Sequence, residues 1–235
     1  MTTTGTSTFN FDLSDCIEEA YARCGSELRS GWDFKSARRS LNLMLMAWSN
    51  LGVNLWTLDQ LTIPLTQGTI NYVLPVDTVD LLDHVIRQGT GINQMDINIT
   101  RISESTYLLI PNKNTQGRPI QVWVNRQSGA TTSTGVAAPS INIWPTANLN
   151  SYYTFVSYRL RRINDAGDGA NTQDVPYRFI PALISGLAYF ISPKIPGIDA
   201  QRVTMLKQDY QEQLGAAMNE DREKASLQIS PRVYR

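Results

Sequence analysis

The sequence predicts an α+β protein in which a discontinuous four-helix domain carries an inserted antiparallel β domain and a C-terminal arm. Apolar residues recur at helical spacing near both ends of the chain, whereas the residues between alternate with a period of two. The last residues are charged on every side and have nothing of their own to bury. We therefore assign residues 9–56 and 166–218 to the helical domain, 57–165 to the β domain and 219–235 to the arm.

Two helices are predicted before the β region. The first spans residues 12–24 and ends at Gly25, and the second spans residues 34–50 after an Asp33 cap. Because the two helices are close in sequence, we expect them to pack as an antiparallel hairpin. The apolar stripe of the second helix comprises Ala37, Leu41, Met44, Leu45 and Trp48, and is widened by Leu43 and Met46.

The β region contains short alternating segments separated by turns, which predicts a small barrel or a sandwich. Residues 95–102 alternate throughout and predict one strand, and Ser103 is expected to cap a short helix. In residues 120–125, alternation places Val122 and Val124 on one side of a strand and Trp123 on the other.

Residues 165–191 return the chain to the helical domain. A polar loop is followed by a helix that is apolar on all faces, so we expect this helix to be buried. Asp174 is expected to cap it, Pro181 to bend its first turns, and Gly186 to leave room for a neighbouring helix. Asp199 is expected to cap the last helix.

Composition restricts the function. Lys and Arg equal Asp and Glu at 21 each, which argues against a generic nucleic-acid binder. The longest apolar run falls short of the ~20 residues that cross a membrane, and the N-terminus lacks the features of a signal peptide. Cys16 and Cys24 are expected to be small core residues of a protein from a reducing compartment.

No catalytic motif is present, so we expect neither a catalytic residue nor a cofactor. His84 is the only histidine, and a structural role is favoured over a role in a Ser–His–Asp triad. Solvated carboxylates are favoured over a glycosidase pair for Glu18, Glu19 and Glu104.

One acidic loop leaves cation binding open. Asp165, Asp168 and Asp174 lie close to Gly167 and Gly169, which faintly resembles a calcium loop, but the spacing differs from that of an EF-hand. Turn and cap chemistry is favoured for these residues.

Two arginine clusters are candidates for a DNA channel or a subunit boundary. Arg38 and Arg39 lie in the second helix, and Arg159, Arg161 and Arg162 end the last strand. Alternation places Arg159 and Arg161 on one face of that strand. DNA contact, ion pairs across a subunit boundary and simple solvation all remain open. The five tryptophans similarly suit core packing or protein–protein contact.

Four stretches carry a resemblance to a known group. They are DCIEEAYARCG, the run DFKSARRSLNLMLMAWSNLGVNLWTLDQ, the segment ISESTYLLIPNKNTQGRPIQVWVNRQ and YRLRRINDAGDGANTQDVPYRFIPALISGLAYF. In these the chain resembles the head-to-tail adaptors of tailed bacteriophages, chiefly short-tailed ones. The group is also called tail accessory factors or head completion proteins.

The resemblance implies a virion structural protein of the phage neck that is assembled in the host cytoplasm. Such adaptors form a ring, usually of twelve copies, beneath the portal. The ring extends the channel for double-stranded DNA without reading its sequence, and it docks the tail hub or nozzle. The resemblance assigns residues 219–235 to a portal-binding arm, with contacts from Arg222, Lys224, Leu227, Ile229, Arg232, Val233, Tyr234 and Arg235.

Two other functions stay open at the level of sequence. One is a virion enzyme that degrades cell-wall glycan, which would need a carboxylate of raised pKa in a cleft. The other is a DNA-binding module that uses the two arginine clusters.

Overall fold

The computed structural model describes residues 5, 9–52, 55–127, 131–132 and 135–221. Within these residues the protein is mixed α+β, with five α-helices and several antiparallel sheets. The chain divides into two compact units. One contains the described residues up to Trp56 together with those from Ile163 onward, and we call it the helical unit. The other spans Thr57–Arg162, and we call it the β unit.

Four of the five described helices belong to the helical unit, and α3 belongs to the β unit. The helices are α1 (Leu13–Cys24), α2 (Gly31–Leu51), α3 (Glu104–Leu108), α4 (Ile180–Ile191) and α5 (Ala200–Glu220).

Side-chain caps fix the start of α1 and α2. The Asp12 carboxylate accepts the backbone N–H of Asp15 at 2.8 Å, and Gly25 ends α1 in the left-handed region, as predicted. The predicted start of α2 was wrong. Ser30, and not Asp33, is the cap: its hydroxyl oxygen accepts the Asp33 N–H and its hydroxyl donates to the Asp33 carboxylate. This reciprocal pair starts the helix three residues earlier.

The core of the helical unit is built around α4. Every residue from Ala182 to Ala188 is buried, which confirms the prediction of a helix buried on all faces. α4 contacts α1, α2 and α5. α1 and α2 each make their main contacts with α4 and fewer with each other, so the predicted antiparallel hairpin is not the principal packing of either helix.

Gly186 permits the close approach of two neighbouring helices to α4. A Cβ atom at this position would lie 2.5 Å from the Met44 Sδ of α2 and 2.8 Å from the Tyr210 ring of α5. Tyr210 also accepts a hydrogen bond from Trp48 Nε1 at 2.9 Å, which ties α5 to α2. The absence of a side chain at Gly186 therefore allows three helices to meet.

The start of α4 differs from the prediction. A 3₁₀ turn over Tyr177–Phe179 precedes the helix, and Pro181 lies in its first turn. A proline there removes no intrahelical hydrogen bond, because the N–H groups of the first turn have no partner within the helix. Asp174 does not cap α4; its carboxylate accepts the backbone N–H of Asn164 at 3.0 Å instead. The Asp174 carboxylate thus bridges the two ends of the acidic loop.

The last helix begins where it was predicted. The Asp199 carboxylate accepts the backbone N–H of Gln201 at 3.2 Å and caps α5. Leu206, Leu214 and Ala217 are its buried residues. α5 continues to Glu220, two residues into the segment that the sequence assigned to the arm.

The described part of the β unit contains twelve strands. They are β1 (Leu58–Pro64), β2 (Asn71–Val73), β3 (Thr78–Gln88), β4 (Met95–Asn98), β5 (Thr100–Ile102), β6 (Gln116–Gly117), β7 (Gln121–Asn125), β8 (Thr131–Thr132), β9 (Gly135–Val136), β10 (Ser140–Trp144), β11 (Thr146–Ala147) and β12 (Tyr153–Arg161).

Two four-stranded sheets organise these strands. The first has the order β1-β12-β3-β4 and is antiparallel throughout. The second has the order β2-β10-β7-β5, with β5 parallel to β7. Two-stranded pairs join β6 to β11 and β8 to β9. The described strands form no closed barrel, so the barrel alternative was wrong.

One core lies under both four-stranded sheets. It includes Leu81, Ile86 and Phe155 from the first sheet and Val122, Val124, Ile141 and Ile143 from the second. The predicted alternation of β7 is confirmed by the burial of Val122 and Val124. The predicted strand over residues 95–102 was wrong in one respect: it divides into β4 and β5, which belong to different sheets.

The helical unit resumes three residues before the predicted boundary. Ile163 and Ala166 are buried in the helical core, and the Ala166 N–H donates to Asn42 Oδ1 of α2 at 2.8 Å. The chain therefore returns to the helical unit directly after β12.

Candidate interaction surfaces

The three glutamates considered for glycoside hydrolysis lie at exposed or half-exposed positions of helices. Glu18 on α1 is exposed, and its neighbour Glu19 forms an ion pair with Arg23 at 3.1 Å. Glu104 is exposed in the first turn of α3, in the other unit. A glycosidase needs two carboxylates facing one scissile bond. These positions supply no such pair in either unit.

His84 lies on β3 with its ring stacked against Phe155, at 6.2 Å between ring centroids. Its Nδ1 is 3.3 Å from the carbonyl oxygen of Leu82. Burial lowers the pKa of His84 from its ordinary value, so the neutral ring is favoured. Within the described residues the ring has no serine or carboxylate hydrogen-bond partner. These contacts are those of a packed structural histidine.

The two cysteines are buried, unpaired residues of the helical core, as predicted. Burial raises the pKa of the Cys16 thiol to about 12 and that of the Cys24 thiol to about 11. The Cys24 thiol donates to the carbonyl oxygen of Ala188 at 3.3 Å. Thiols of this kind carry almost no thiolate at neutral pH and are poor nucleophiles.

The acidic loop is held by hydrogen bonds to the start of α1. The backbone N–H of Leu13 donates to the carbonyl oxygen of Asn171 at 2.9 Å, and Ser14 Oγ donates to that of Gly169 at 3.1 Å. Asn171 Oδ1 also accepts the Asp168 N–H at 2.7 Å. No group of three or more metal-ligating side chains occurs in the described part of the chain. The observed contacts attach the loop to α1 and close a turn between Asp168 and Asn171.

Arg159 is part of an ion-pair network inside the β unit. Its guanidinium donates to Asp77 Oδ1 at 2.7 Å, to Thr78 Oγ1 at 3.0 Å and to Asp59 Oδ2 at 3.2 Å. Only 13% of its side chain is exposed. Arg161 shares Asp59, with its Nε 3.3 Å from the same oxygen. Through Asp59 on β1 and Asp77 just before β3, these pairs connect β12 to both of its neighbouring strands.

The remaining candidate arginines are less buried. Arg162 is exposed, and its backbone N–H donates to the carbonyl oxygen of Asp77 at 2.8 Å. Arg38 pairs with Asp168 at 3.5 Å, where Asp168 is 94% exposed. Arg39 is exposed on α2. Of the five arginines, Arg39 and Arg162 are therefore the most accessible to another molecule.

The side of α2 that faces away from α4 combines basic and apolar residues. Trp32, Lys35, Arg39, Leu43 and Met46 recur at three- and four-residue spacing and are all exposed. We call these five residues the α2 outer face. Leu43 and Met46 were predicted to widen the buried stripe, and that prediction was wrong. At 100° per residue they lie on the side opposite Leu41 and Met44, and this signal was available in the sequence.

The tryptophans divide between packing and exposure. Trp48 is buried in the helical core, and Trp56 packs against Phe179 with ring centroids 4.8 Å apart. Trp123 stacks on Tyr107 at 5.2 Å. Trp32 is 70% exposed, which is unusual for a large aromatic side chain.

The β unit also has exposed apolar side chains. Ile92 lies at the tip of the turn between β3 and β4, and Leu108 and Leu109 lie at the end of α3. All three are highly exposed. The predicted portal-binding residues, from Arg222 to Arg235, lie outside the described residues.

The sequence was compared with protein-family models and with curated proteins. No protein-family model matches the chain, and no curated protein matches it. In the described part of the chain, no helix has both the length and the apolar character needed to span a membrane.

Proposed function

We propose that this protein is a virion structural protein, a head-to-tail adaptor that assembles as a ring beneath the portal of a tailed bacteriophage. The ring extends the DNA channel and docks the tail hub or nozzle. The proposal rests on the four sequence stretches that resemble adaptors of short-tailed phages. The observation in the structure that supports it best is the exposed α2 outer face, where aromatic, apolar and basic side chains together suit protein contact.

In this proposal α1, α2, α4 and α5 act as one four-helix domain, and the β unit is an insertion that carries contacts of its own. The central α4 supplies rigidity and no chemistry. Residues 219–235 are the portal-binding arm, and its first two residues already belong to α5.

Neither alternative function has equal support. A glycan-degrading enzyme would need two facing carboxylates, whereas Glu18, Glu19 and Glu104 lie on helix surfaces. A DNA-binding module would use both arginine clusters, whereas Arg159 and Arg161 pair with carboxylates of their own unit and Arg38 pairs with Asp168, which leaves Arg39 and Arg162 as the accessible pair.

Truncation tests the arm. The Asp221 carboxylate is only 3% exposed and pairs with Arg178 at the start of α4, so the cut should follow Asp221. We expect the chain ending at Asp221 to stay folded but to lose binding to the portal ring of its own virion. Circular dichroism and co-sedimentation with purified portal rings measure the two properties.

A full-length chain in which residues 222–235 are scrambled controls for length and charge. It should also fail to bind. Normal binding by either variant would show that residues 222–235 do not bind the portal.

A further inference from the structure

Among the residues that the structure describes, nothing covers the long surface of the α2 outer face. From Trp32 to Met46 it extends about 21 Å along the helix, at a rise of about 1.5 Å per residue. Lys35 and Arg39 form no ion pair within the described residues, in contrast to Arg38, which pairs with Asp168. Leu43 and Met46 expose about half of their side chains. Binding another protein to a surface of this composition is favourable, because the contact removes apolar side chains from water.

A second outward helix face has the opposite charge. Asp15, Glu18 and Ala22 recur at three- and four-residue spacing on α1 and are exposed. We call them the α1 outer face. Asp15 and Glu18 form no ion pair within the described residues, whereas their neighbour Glu19 pairs with Arg23. The small Ala22 leaves space beside the carboxylates for larger side chains from another molecule.

We propose that the α2 outer face of one copy docks on the α1 outer face of the next copy. Lys35 and Arg39 would meet Asp15 and Glu18, and the apolar end of the α2 face would cover Ala22. The occupant is thus a second copy of this chain. Because the contact joins two different surfaces, it is heterologous and generates a closed ring or a filament. The contact itself does not depend on the proposed function; only its closure into a ring, rather than a filament, rests on that function.

Charge favours this contact over two others. Two α2 outer faces in a symmetric dimer would place like charges together, which is unfavourable. A DNA backbone would pair with Lys35 and Arg39 but would leave Leu43 and Met46 exposed to water. The acidic α1 outer face can pair with Lys35 and Arg39 without bringing like charges together and without leaving Leu43 and Met46 exposed to water.

Charge reversal provides the test. One variant carries Lys35→Glu and Arg39→Glu, and the other carries Asp15→Lys and Glu18→Lys. All four residues are exposed, so circular dichroism should show native helix content. By sedimentation velocity at rising protein concentration and low salt, we expect the wild type to self-associate. Each variant alone should associate at least ~10-fold more weakly, since like charges would then face each other.

Mixing the two variants gives the decisive result. In an equal mixture every α2–α1 contact between unlike chains is again complementary, so we expect self-association to return. A chain with all four reversals should also recover. Lys207→Glu, an exposed change on α5, is the matched control and should behave like the wild type.

Several results would overturn the contact. They are a wild type that stays monomeric at every concentration, single variants that associate normally, and a mixture that does not recover. Loss of binding to a short DNA duplex without any change in self-association would assign the α2 outer face to DNA. Failure of the chain to bind portal rings, with self-association intact, would remove the proposed function and leave this contact standing.

Discussion

The two units use charge in different ways. In the β unit, arginines pair with carboxylates from other strands: Arg159 reaches Asp59 and Asp77, and Arg101 on β5 donates to Asp80 on β3 at 2.9 Å. The helical unit instead packs apolar side chains around α4 and leaves basic and acidic residues on its outer helix faces. Cross-strand charges help to hold the β unit together. On α1 and α2, by contrast, Asp15, Glu18, Lys35 and Arg39 form no ion pair within the described residues and are available to another molecule, although Arg23 and Arg38 do pair inside their unit.

This difference has a physical origin. α4 is apolar on all sides, so the helices around it need only one apolar stripe each and can carry any residue outside. In the β unit, cross-strand ion pairs and hydrogen bonds add to the stability that its apolar core provides. The most informative substitutions therefore compare an apolar core residue, a half-buried ion pair and an exposed ion pair.

The largest effect is expected for Leu187→Asp at the centre of α4. Leu187 is fully buried, and an unpaired carboxylate there would lose its hydration without gaining a partner. We expect a loss of more than about 4 kcal/mol in the free energy of unfolding, enough to unfold the helical unit. Hydrogen exchange measured by mass spectrometry would show lost protection in α1, α2, α4 and α5.

Leu187→Met is the matched control for this position. It conserves volume and should cost less than about 1.5 kcal/mol. Native protection in the helices of the Leu187→Asp variant would show that α4 is not the centre of the unit.

An intermediate effect is expected for Arg159→Leu in the β unit. The substitution removes hydrogen bonds to Asp59, Asp77 and Thr78; Asp77 loses this cation, whereas Asp59 keeps its ion pair with Arg161. We expect a loss of about 1–3 kcal/mol, confined to the β unit. Urea unfolding together with hydrogen exchange of β1, β3 and β12 measures it.

Arg162→Ala is the control from the same arginine run. Arg162 is exposed, so its removal should change stability by less than about 0.5 kcal/mol. Equal effects of the two substitutions would contradict a specific structural role for Arg159.

The smallest effect is expected for Asp168→Ala in the acidic loop. Its ion pair with Arg38 is 3.5 Å long and fully accessible to water, so it contributes at most about 0.5 kcal/mol. Thermal unfolding should be nearly unchanged, with and without added calcium. A collapse of the fold, or a calcium-dependent melting temperature in the wild type alone, would reopen the question of a cation site.

Local signals predicted the helices well. Asp12, Gly25, Gly52 and Asp199 each lie at a helix end because capping depends on residues a few positions apart. Ser30 and Asp33 were both suitable caps for α2, and only their reciprocal hydrogen bonds decide between them.

Features that depend on distant parts of the chain could not be predicted. Alternation continues through residues 95–102, so the division into β4 and β5 is set by pairing with β3 and β7. The partners of Arg159 lie about 80 to 100 residues away, and no local pattern points to them. The α2 outer face, in contrast, depends only on residue spacing within α2, and that spacing was visible in the sequence.

Negative-stain imaging of the protein alone and mixed with portal rings of its own virion tests the central claim most directly. We expect single particles at low protein concentration and, in the mixture, a second ring stacked on the portal. The Lys35→Glu, Arg39→Glu variant should give incomplete rings. A mixture in which portal rings remain bare at saturating protein would contradict the adaptor function.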